Sequence, residues 1–326
     1  MKKLKFFAVI VGICFLSGCS GGWKYGQPLT KSKIKIAFVM PKDDADGLCA
    51  AQLSGFIANK ELIGLADNQI IMLSNIDKTN SDGIEIAIRG AILNGANLVI
   101  ATDGAFMEIC AKLSDEFKKV IFTCYGGDLF NDTNLTNYSA RIYQAFYLCG
   151  IVAAGATKNN KIGVAYHSKE NDAQGIYSDL NAFALGVERF NPAATIFPTE
   201  VLGGEAADSI PQTEWNRAAE YLYTLGCDLI EMQNGLWTYN NTNSQNRSVV
   251  TFIVFHWDLY YNQLLLSIIK GDFSTVPYYG GIAEGVIDIN HITEITNNDI
   301  QNEISAVKKS IVEDGFNVFD EFWQSK

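Results

Sequence analysis

The stretch NYSARIYQAFYLCGIVAAGATKNNKIGVAY, residues 137–166, decides the fold. It reads as a short extended piece, an apolar helix, a Lys-Asn-Asn turn and a strand. Alternating β and α patterns lie on both sides of it. It is therefore the point where the chain leaves one α/β lobe and enters a second.

Before it, residues 34–40 form a β-branched, fully apolar run, the mark of a central parallel strand buried on both faces. Pro41-Lys-Asp-Asp-Ala-Asp-Gly47 follows, then an amphipathic helix over 50–63. Strands at 69–73, 98–101 and 120–124 alternate with helices at 82–94 and 105–117. After it come a strand at 161–165, a helix within 172–190 stopped by Asn191-Pro192, and a strand at 196–201. A helix at 214–225 closes on Gly226, strands follow at 228–232 and 249–255, a helix at 260–270 closes on Gly271, and a last helix spans 300–313. Open α/β sheets bind ligands at the carboxyl ends of their strands, beside helix N-termini. The loops to inspect are therefore the first βα loop, 75–81, 102–106 and 125–132.

The 326 residues suffice for two such lobes, and 48% hydrophobic content supplies their cores. The formal charge of −11 argues against nucleic acid as a partner. At the start, Lys2, Lys3 and Lys5 precede an apolar run and then Leu16-Ser-Gly-Cys19. The run is too short to span a bilayer, so it reads as a signal. Leu16-Ser-Gly-Cys19 matches a lipobox, which makes Cys19 the lipidation site and residues 19–33 a tether. The expected location is the bacterial cell envelope, with the lipid bilayer as partner. Cys110, Cys149 and Cys227 read as core thiols, and Cys49 as either core or pocket lining.

Arg141, Tyr143, Gln144, Tyr147, Leu148 and Gly150, with Thr157-Lys158 and Lys161-Ile-Gly163, form one signature. Asn181-Ala-Phe-Ala-Leu-Gly186 with Asn191-Pro192 forms a second, and Tyr260-Tyr261, Lys270-Gly271 and Tyr279-Gly-Gly-Ile-Ala-Glu-Gly-Val-Ile-Asp288 a third. Together, in this order, they resemble the basic membrane protein lipoproteins, substrate-binding proteins of ABC importers related to purine nucleoside receptors. The resemblance implies a type I periplasmic-binding-protein fold, two lobes of parallel βα units joined by a multi-crossing hinge. It implies a first lobe of 34–140 plus 255–285 and a second of 141–254 plus 286–326. It also implies an ABC permease partner and a purine nucleoside or nucleobase in the cleft. The family's helix and strand between Met232 and Val249 have too little room in the Asn-rich residues 233–248, so one βα unit is expected to be missing.

The resemblance directs attention to particular residues. Asp44 and Asp46 in the first βα loop suit ligand amino and hydroxyl groups, and equally suit turn and N-cap chemistry. The family's stacking aromatic falls on Leu48. Asp103 and Phe106 follow the third strand, Asp103 as pocket lining or N-cap. Tyr125 follows the fourth. Arg141 can hold an acidic residue across the lobes, or a ligand carboxylate or phosphate. On the second lobe, His167 can donate to a ligand. Gln233, Asn234 and Trp237 offer amides beside a ring, or a cover over the missing unit. Trp257 is the aromatic candidate at the last crossing, where relatives also carry an aromatic.

No P-loop, nucleophile elbow, HExxH or dinucleotide glycine set is present, and no Cys/His cluster reads as zinc. The sequence thus assigns no catalytic residue, no metal and no cofactor. The competing expectation is a surface lipoprotein, adhesin or antigen, that kept the fold and lost transport.

Overall fold

The computed structural model describes residues 27–41, 47–167, 173–203, 210–232, 235–239, 247–290 and 297–320. Along the chain run β1 (Ile36–Val39), α1 (Gly47–Ile63), β2 (Ile70–Leu73), α2 (Ser81–Leu93), β3 (Leu98–Ala101), α3 (Met107–Glu116), β4 (Ile121–Tyr125) and β5 (Leu135–Ala140). Then come α4 (Ile142–Ala156), β6 (Lys161–Tyr166), α5 (Ala173–Phe190), β7 (Thr195–Glu200), α6 (Gln212–Thr224), β8 (Leu229–Met232), β9 (Gly235–Tyr239) and β10 (Arg247–Phe255). The chain continues through α7 (Trp257–Lys270), β11 (Tyr278–Gly280), β12 (Ile287–Asn290) and α8 (Asn298–Glu313).

The strands make two six-stranded sheets. The first, in order β11-β5-β4-β3-β1-β2, is parallel throughout. All four residues of β1 and of β3 are buried, which is why both runs are apolar without alternation. The second sheet, in order β12-β10-β9-β8-β6-β7, is parallel only across β7, β6 and β8. There β9 runs antiparallel to both β8 and β10. The stretch expected to lack a whole βα unit therefore does hold a strand, and the described residues between β8 and β10 hold no helix. Only residues 233 and 234 separate β8 from β9, and a connection that short joins antiparallel neighbours, never parallel ones.

Each sheet takes strands from distant parts of the chain, so the chain crosses between them. It crosses from β5 to α4, from β10 to α7, and from β11 to β12. The crossings are stitched together by backbone groups. Arg141 N donates to Gly280 O at 2.7 Å, and His256 N donates to Val286 O at 2.7 Å. Ile282 N donates to Gln144 Oε1 at 2.9 Å.

Helix α4 is buried from Gln144 through Ala154 and again at Ala156, and its closest neighbour is α5. The two touch backbone to backbone. A Cβ built on Gly150 would sit 2.1 Å from Phe183 O, and one on Gly186 would sit 2.0 Å from Tyr147 O. Two signature glycines are thus the crossing point of two helices. Elsewhere lysines hold helix ends. Lys31 Nζ donates to Ile63 O at 3.1 Å, Lys35 Nζ to Asn94 O at 2.8 Å and Lys161 Nζ to Leu225 O at 3.1 Å. A cation there satisfies an orphan carbonyl and the negative end of the helix dipole.

Replacing Gly150 by alanine is expected to force the helices apart and to cost about 3 kcal/mol. Gly90→Ala in α2, where nothing lies within 4 Å of the added methyl, is expected to be neutral or to stabilise by up to about 1 kcal/mol. Urea denaturation of both variants checks this. Equal midpoints would show that the α4–α5 contact is not tight.

Candidate functional site

The carboxyl edge of the first sheet is formed by Met40, Thr102, Asp103 and Tyr125, where β1, β3 and β4 end. Gln52, on the second turn of α1, is fully buried behind it. Its Nε2 donates to Thr102 O at 3.0 Å, and its Oε1 accepts from Tyr138 at 2.6 Å and from Tyr261 at 3.2 Å. The Tyr138 and Tyr261 hydroxyls lie 2.9 Å apart, and the Tyr260 hydroxyl lies 2.6 Å from Thr123 Oγ1. A buried amide and buried phenols need partners, and here they serve one another. The result is a rigid polar layer under the carboxyl edge of the sheet.

Rings lock the same layer. Tyr138 stacks on Tyr260 at 4.3 Å and meets Trp257 and Tyr125 edge-on at 5.4 and 5.6 Å. Trp257 lies parallel to Phe255 at 6.0 Å and edge-on to Tyr125 at 5.5 Å. Its side chain is fully buried, so its ring faces belong to the protein and are closed to a stacking ligand. Its indole N–H has no hydrogen-bond partner among the described residues. Tyr125 is only half-buried and is the cluster's outward member. Leu48 and Cys49, in the first turn of α1, are half-buried as well, and Leu48 packs on the same core.

Burial, the largest cause in each case, pushes the phenols of Tyr138, Tyr260 and Tyr261 above the ordinary tyrosine range. Each stays neutral because a phenolate there would lose its water.

On the second sheet, His167 follows β6. Its Nδ1 lies 2.9 Å from Val201 O, and a carbonyl only accepts, so Nδ1 carries the proton. In the neutral ring the remaining nitrogen, Nε2, is therefore an acceptor, and it is buried without a partner among the described residues.

The other expected residues fall as follows. Asp103 caps the short 3-10 turn after β3, accepting from Ala105 N at 2.9 Å, and it pairs with Lys78 at 3.3 Å. Phe106 is a correction. It is fully buried in the core under α2 and α3, because the 3-10 turn directs it inward, and it is closed to a ligand. Arg141 takes the acidic partner, pairing with Glu284 at 2.9 Å and lying over the Tyr279 ring at 4.9 Å. Trp237, on β9, packs with the core under α6. Asp44, Asp46, Gln233, Asn234 and the lipidation candidate Cys19 lie outside the described residues. Gln52 and Tyr138 were not anticipated. Gln52, like Asn59 two turns on, was visible as a polar residue on the buried face of α1; Tyr138 carried no signal of its own. A recess of about 450 Å³ lined by Lys33, Lys35, Asn68, Gln69 and Gly95 lies at the amino ends of the strands, the end that α/β sheets do not use for ligands.

Residues 66–239 match the family model of PnrA-like ABC transporter substrate-binding proteins, Bmp. A Haloferax volcanii protein named for glucose binding in an ABC transporter is 23% identical over 68% of this chain, and the chain spans 59% of its length. A purine-binding protein from Brucella abortus is 22% identical over 83% of this chain and 79% of its own. Among solved structures, an ABC transporter solute-binding protein from Conexibacter woesei superposes with a TM-score of 0.69 at 17% identity, covering 87% of this chain and 98% of the other. The fold is therefore the type I periplasmic-binding-protein fold.

Two outcomes follow for the buried layer. Gln52→Leu is expected to destabilise by about 1–3 kcal/mol for each polar group it strands, well beyond Tyr138→Phe at about 1 kcal/mol; thermal unfolding compares them. The raised phenols stabilise the fold below the unfolded tyrosine value of about 10, and that contribution falls as pH rises above it, because only the unfolded chain ionises. Tyrosinate absorbance is expected to titrate in two groups, the buried one only on unfolding. A single early transition would contradict the buried layer.

Proposed function

Because the chain belongs to the PnrA-like ABC transporter substrate-binding (Bmp) family, a family of solute-binding proteins and not of enzymes, we propose that it captures a small polar ligand and delivers it to an ABC permease. The ligand rests between a first lobe, 34–140 plus 255–285, and a second, 141–254 plus 286–326. Those boundaries put α4 and α8 with the second sheet and the α1–α7 pair with the first, as their packing suggests. Closure of two lobes about a hinge is the motion such an arrangement permits.

The observation that carries the reading is the convergence of Gln52, Tyr125, Tyr138, Trp257 and Tyr261 at the carboxyl edge of the first sheet, beside the second crossing. Pockets for small ligands are walled by aromatic side chains held on a rigid support; this buried layer is such a support, and the half-buried Tyr125 is the ring it presents. Tyr125 and Leu48 supply wall from the first lobe, and His167 an acceptor from the second. Asp103 stiffens that edge by capping the turn after β3, and Asp44, Asp46, Gln233 and Asn234, which lie outside the described residues, remain proposed ligand contacts. A purine nucleoside or nucleobase suits an aromatic wall with a hydrogen-bonding rim, and the Brucella relative's name points the same way. Acylation of Cys19 would hold the protein to the envelope membrane. Among the described residues no helix is long and apolar enough to cross a bilayer.

The test is a thermal-shift screen of the chain from Gly22 onward against inosine, guanosine, adenosine, nucleobases and glucose. A ligand at one hundred times its Kd adds about 2.7 kcal/mol, a rise of a few degrees in Tm for a chain of this size. A rise with purines alone is the expected result. A rise with glucose alone keeps solute binding and replaces the ligand. No rise with any compound, from protein freed of carried-over ligand, would sink the reading and favour a surface protein that has lost transport.

A further inference from the structure

The cysteines that follow Cys19 are Cys49, Cys110, Cys124, Cys149 and Cys227. Three of them lie apart. Cys49 stands in the first turn of α1, Cys149 within α4, and Cys227 before β8 in the core under α6. The other two meet. Side chains alternate along β4, so Phe122 and Cys124 face the layer of α2 and α3, while Thr123 faces Tyr260 on the opposite side. Cys110 stands in the first turn of α3, on the inward face it shares with Met107 and Leu113. Both thiols are fully buried in one apolar cluster.

The backbone brings them together. Helix α3 starts at the carboxyl edge of the first sheet, where β4 ends. Cys124 Sγ lies 3.3 Å from Asp103 O, just before the turn that leads into α3. A Cβ built on Gly104 would sit 3.1 Å from Gly126 O, and one on Gly127 would strike Met107 Cγ at 2.8 Å. The start of α3 is therefore pressed against the end of β4, and the Cys110 and Cys124 thiols are hydrogen-bonding neighbours at that contact. The Cys110 thiol, and then burial, push the Cys124 thiol well above the ordinary thiol range. As thiols the two gain little from each other, since S–H is a weak donor. Joined, they restrain the unfolded chain as well as filling the core.

Members of this family work outside the cytoplasm, where disulfides form and persist. We propose that Cys110 and Cys124 are joined by a disulfide in the exported protein, a covalent tie between the first turn of α3 and the carboxyl end of β4. The oxidant is a disulfide met outside the cytoplasm, carried by a thiol-disulfide oxidoreductase or by a small molecule. One thiolate of the pair attacks that disulfide, which forms a mixed disulfide and releases one sulfur as a thiol. The second thiolate attacks the mixed disulfide and releases the other sulfur as a thiol. The pair gives up two protons and two electrons, and the oxidant's S–S bond becomes two thiols. The exchange belongs to folding, before the α3 layer closes, because in the folded protein both sulfurs are buried and Cys124 keeps its proton. The tie flanks the candidate site, between the Asp103 turn and Tyr125. It does not depend on which solute that site takes.

The experiment expresses the chain with its leading segment in a bacterium, recovers it from the envelope in N-ethylmaleimide and digests it with trypsin, with and without reductant. Lys112, Lys118 and Lys119 separate the two cysteines, so a disulfide joins peptide 90–112 to peptide 120–141. That linked pair, parting on reduction, is the expected result, with N-ethylmaleimide on Cys49, Cys149 and Cys227 alone. N-ethylmaleimide on both Cys110 and Cys124, or a link from either to a different cysteine, overturns the proposal. Thermal unfolding then compares exported protein with protein made in the reducing cytoplasm. The cytoplasmic form is expected to melt several degrees lower, and the Cys110→Ala/Cys124→Ala double variant to melt alike from both compartments. A difference in the double variant as large as in the parent would overturn the tie as its cause. If the double variant does not fold, the peptide map of the unaltered protein decides. Ligand binding enters none of these readouts, so the solute-binding reading stands or falls separately.

Discussion

The second lobe depends on one contact, the crossing of α4 and α5 at Gly150 and Gly186. Two helices approach this closely only where neither carries a side chain, and the crossing has a glycine on each partner, each aimed at the other's carbonyl. Because α4 is apolar nearly all round, it can be enclosed by α5, α8, β9, β10 and β12 together. The same helix starts at the first crossing, so its seat also fixes where the two sheets meet.

From that seat the signature motifs acquire physical meanings. Thr157 and the backbone of Lys158 both hold Asp228, at 2.7 and 2.6 Å, tying the turn after α4 to the turn before β8. Lys161 caps α6, and Gly163 leaves room for Leu222, whose Cδ1 would meet an added Cβ at 3.0 Å. Glu284 accepts from Arg141 and from Gly281 N at 2.6 Å, so the third crossing is clamped to the first. Gly281 allows this, since a Cβ there would strike Gln144 Oε1 at 2.4 Å. Residues that look functional because they form a pattern turn out to hold the hinge in register. Between them lies a buried layer whose polar atoms, apart from the Trp257 indole among the described residues, bond to one another.

Much of the fold was legible. The apolar runs at β1 and β3, the stops at Asn191-Pro192, Gly226 and Gly271, and the helices expected at 82–94 and 214–225 all correspond to elements with nearly the expected bounds. The strand β9 was not anticipated. Its signal was Asn234-Gly235 followed by the alternation of Leu236, Trp237 and Thr238, a hairpin pattern masked by the Asn-rich residues around it. Strands β11 and β12 are three and four residues long, too short for periodicity to show. Among site residues, Arg141 pairs with Glu284 and Asp103 caps the turn after β3, because an acidic side chain and a helix N-terminus lie within reach. Phe106 was misplaced by position alone. Following a strand puts a residue at the carboxyl edge, and the turn's geometry then decides whether its ring faces the cleft or the core.

The sequence by itself determined the α/β alternation, the two-lobed plan and the helix ends, because hydrophobic periodicity and Gly, Asn and Pro punctuation act over a few residues. Only the tertiary structure decided which polar groups satisfy one another. Gln52, Tyr138 and Tyr261 are 86 to 209 residues apart in the chain and share one hydrogen-bonded layer. Nothing local distinguishes a tryptophan whose N–H finds an acceptor from one, like Trp257, whose N–H meets none among the described residues. That distinction is a property of packing, since an acceptor is present or absent according to where several distant segments come to rest.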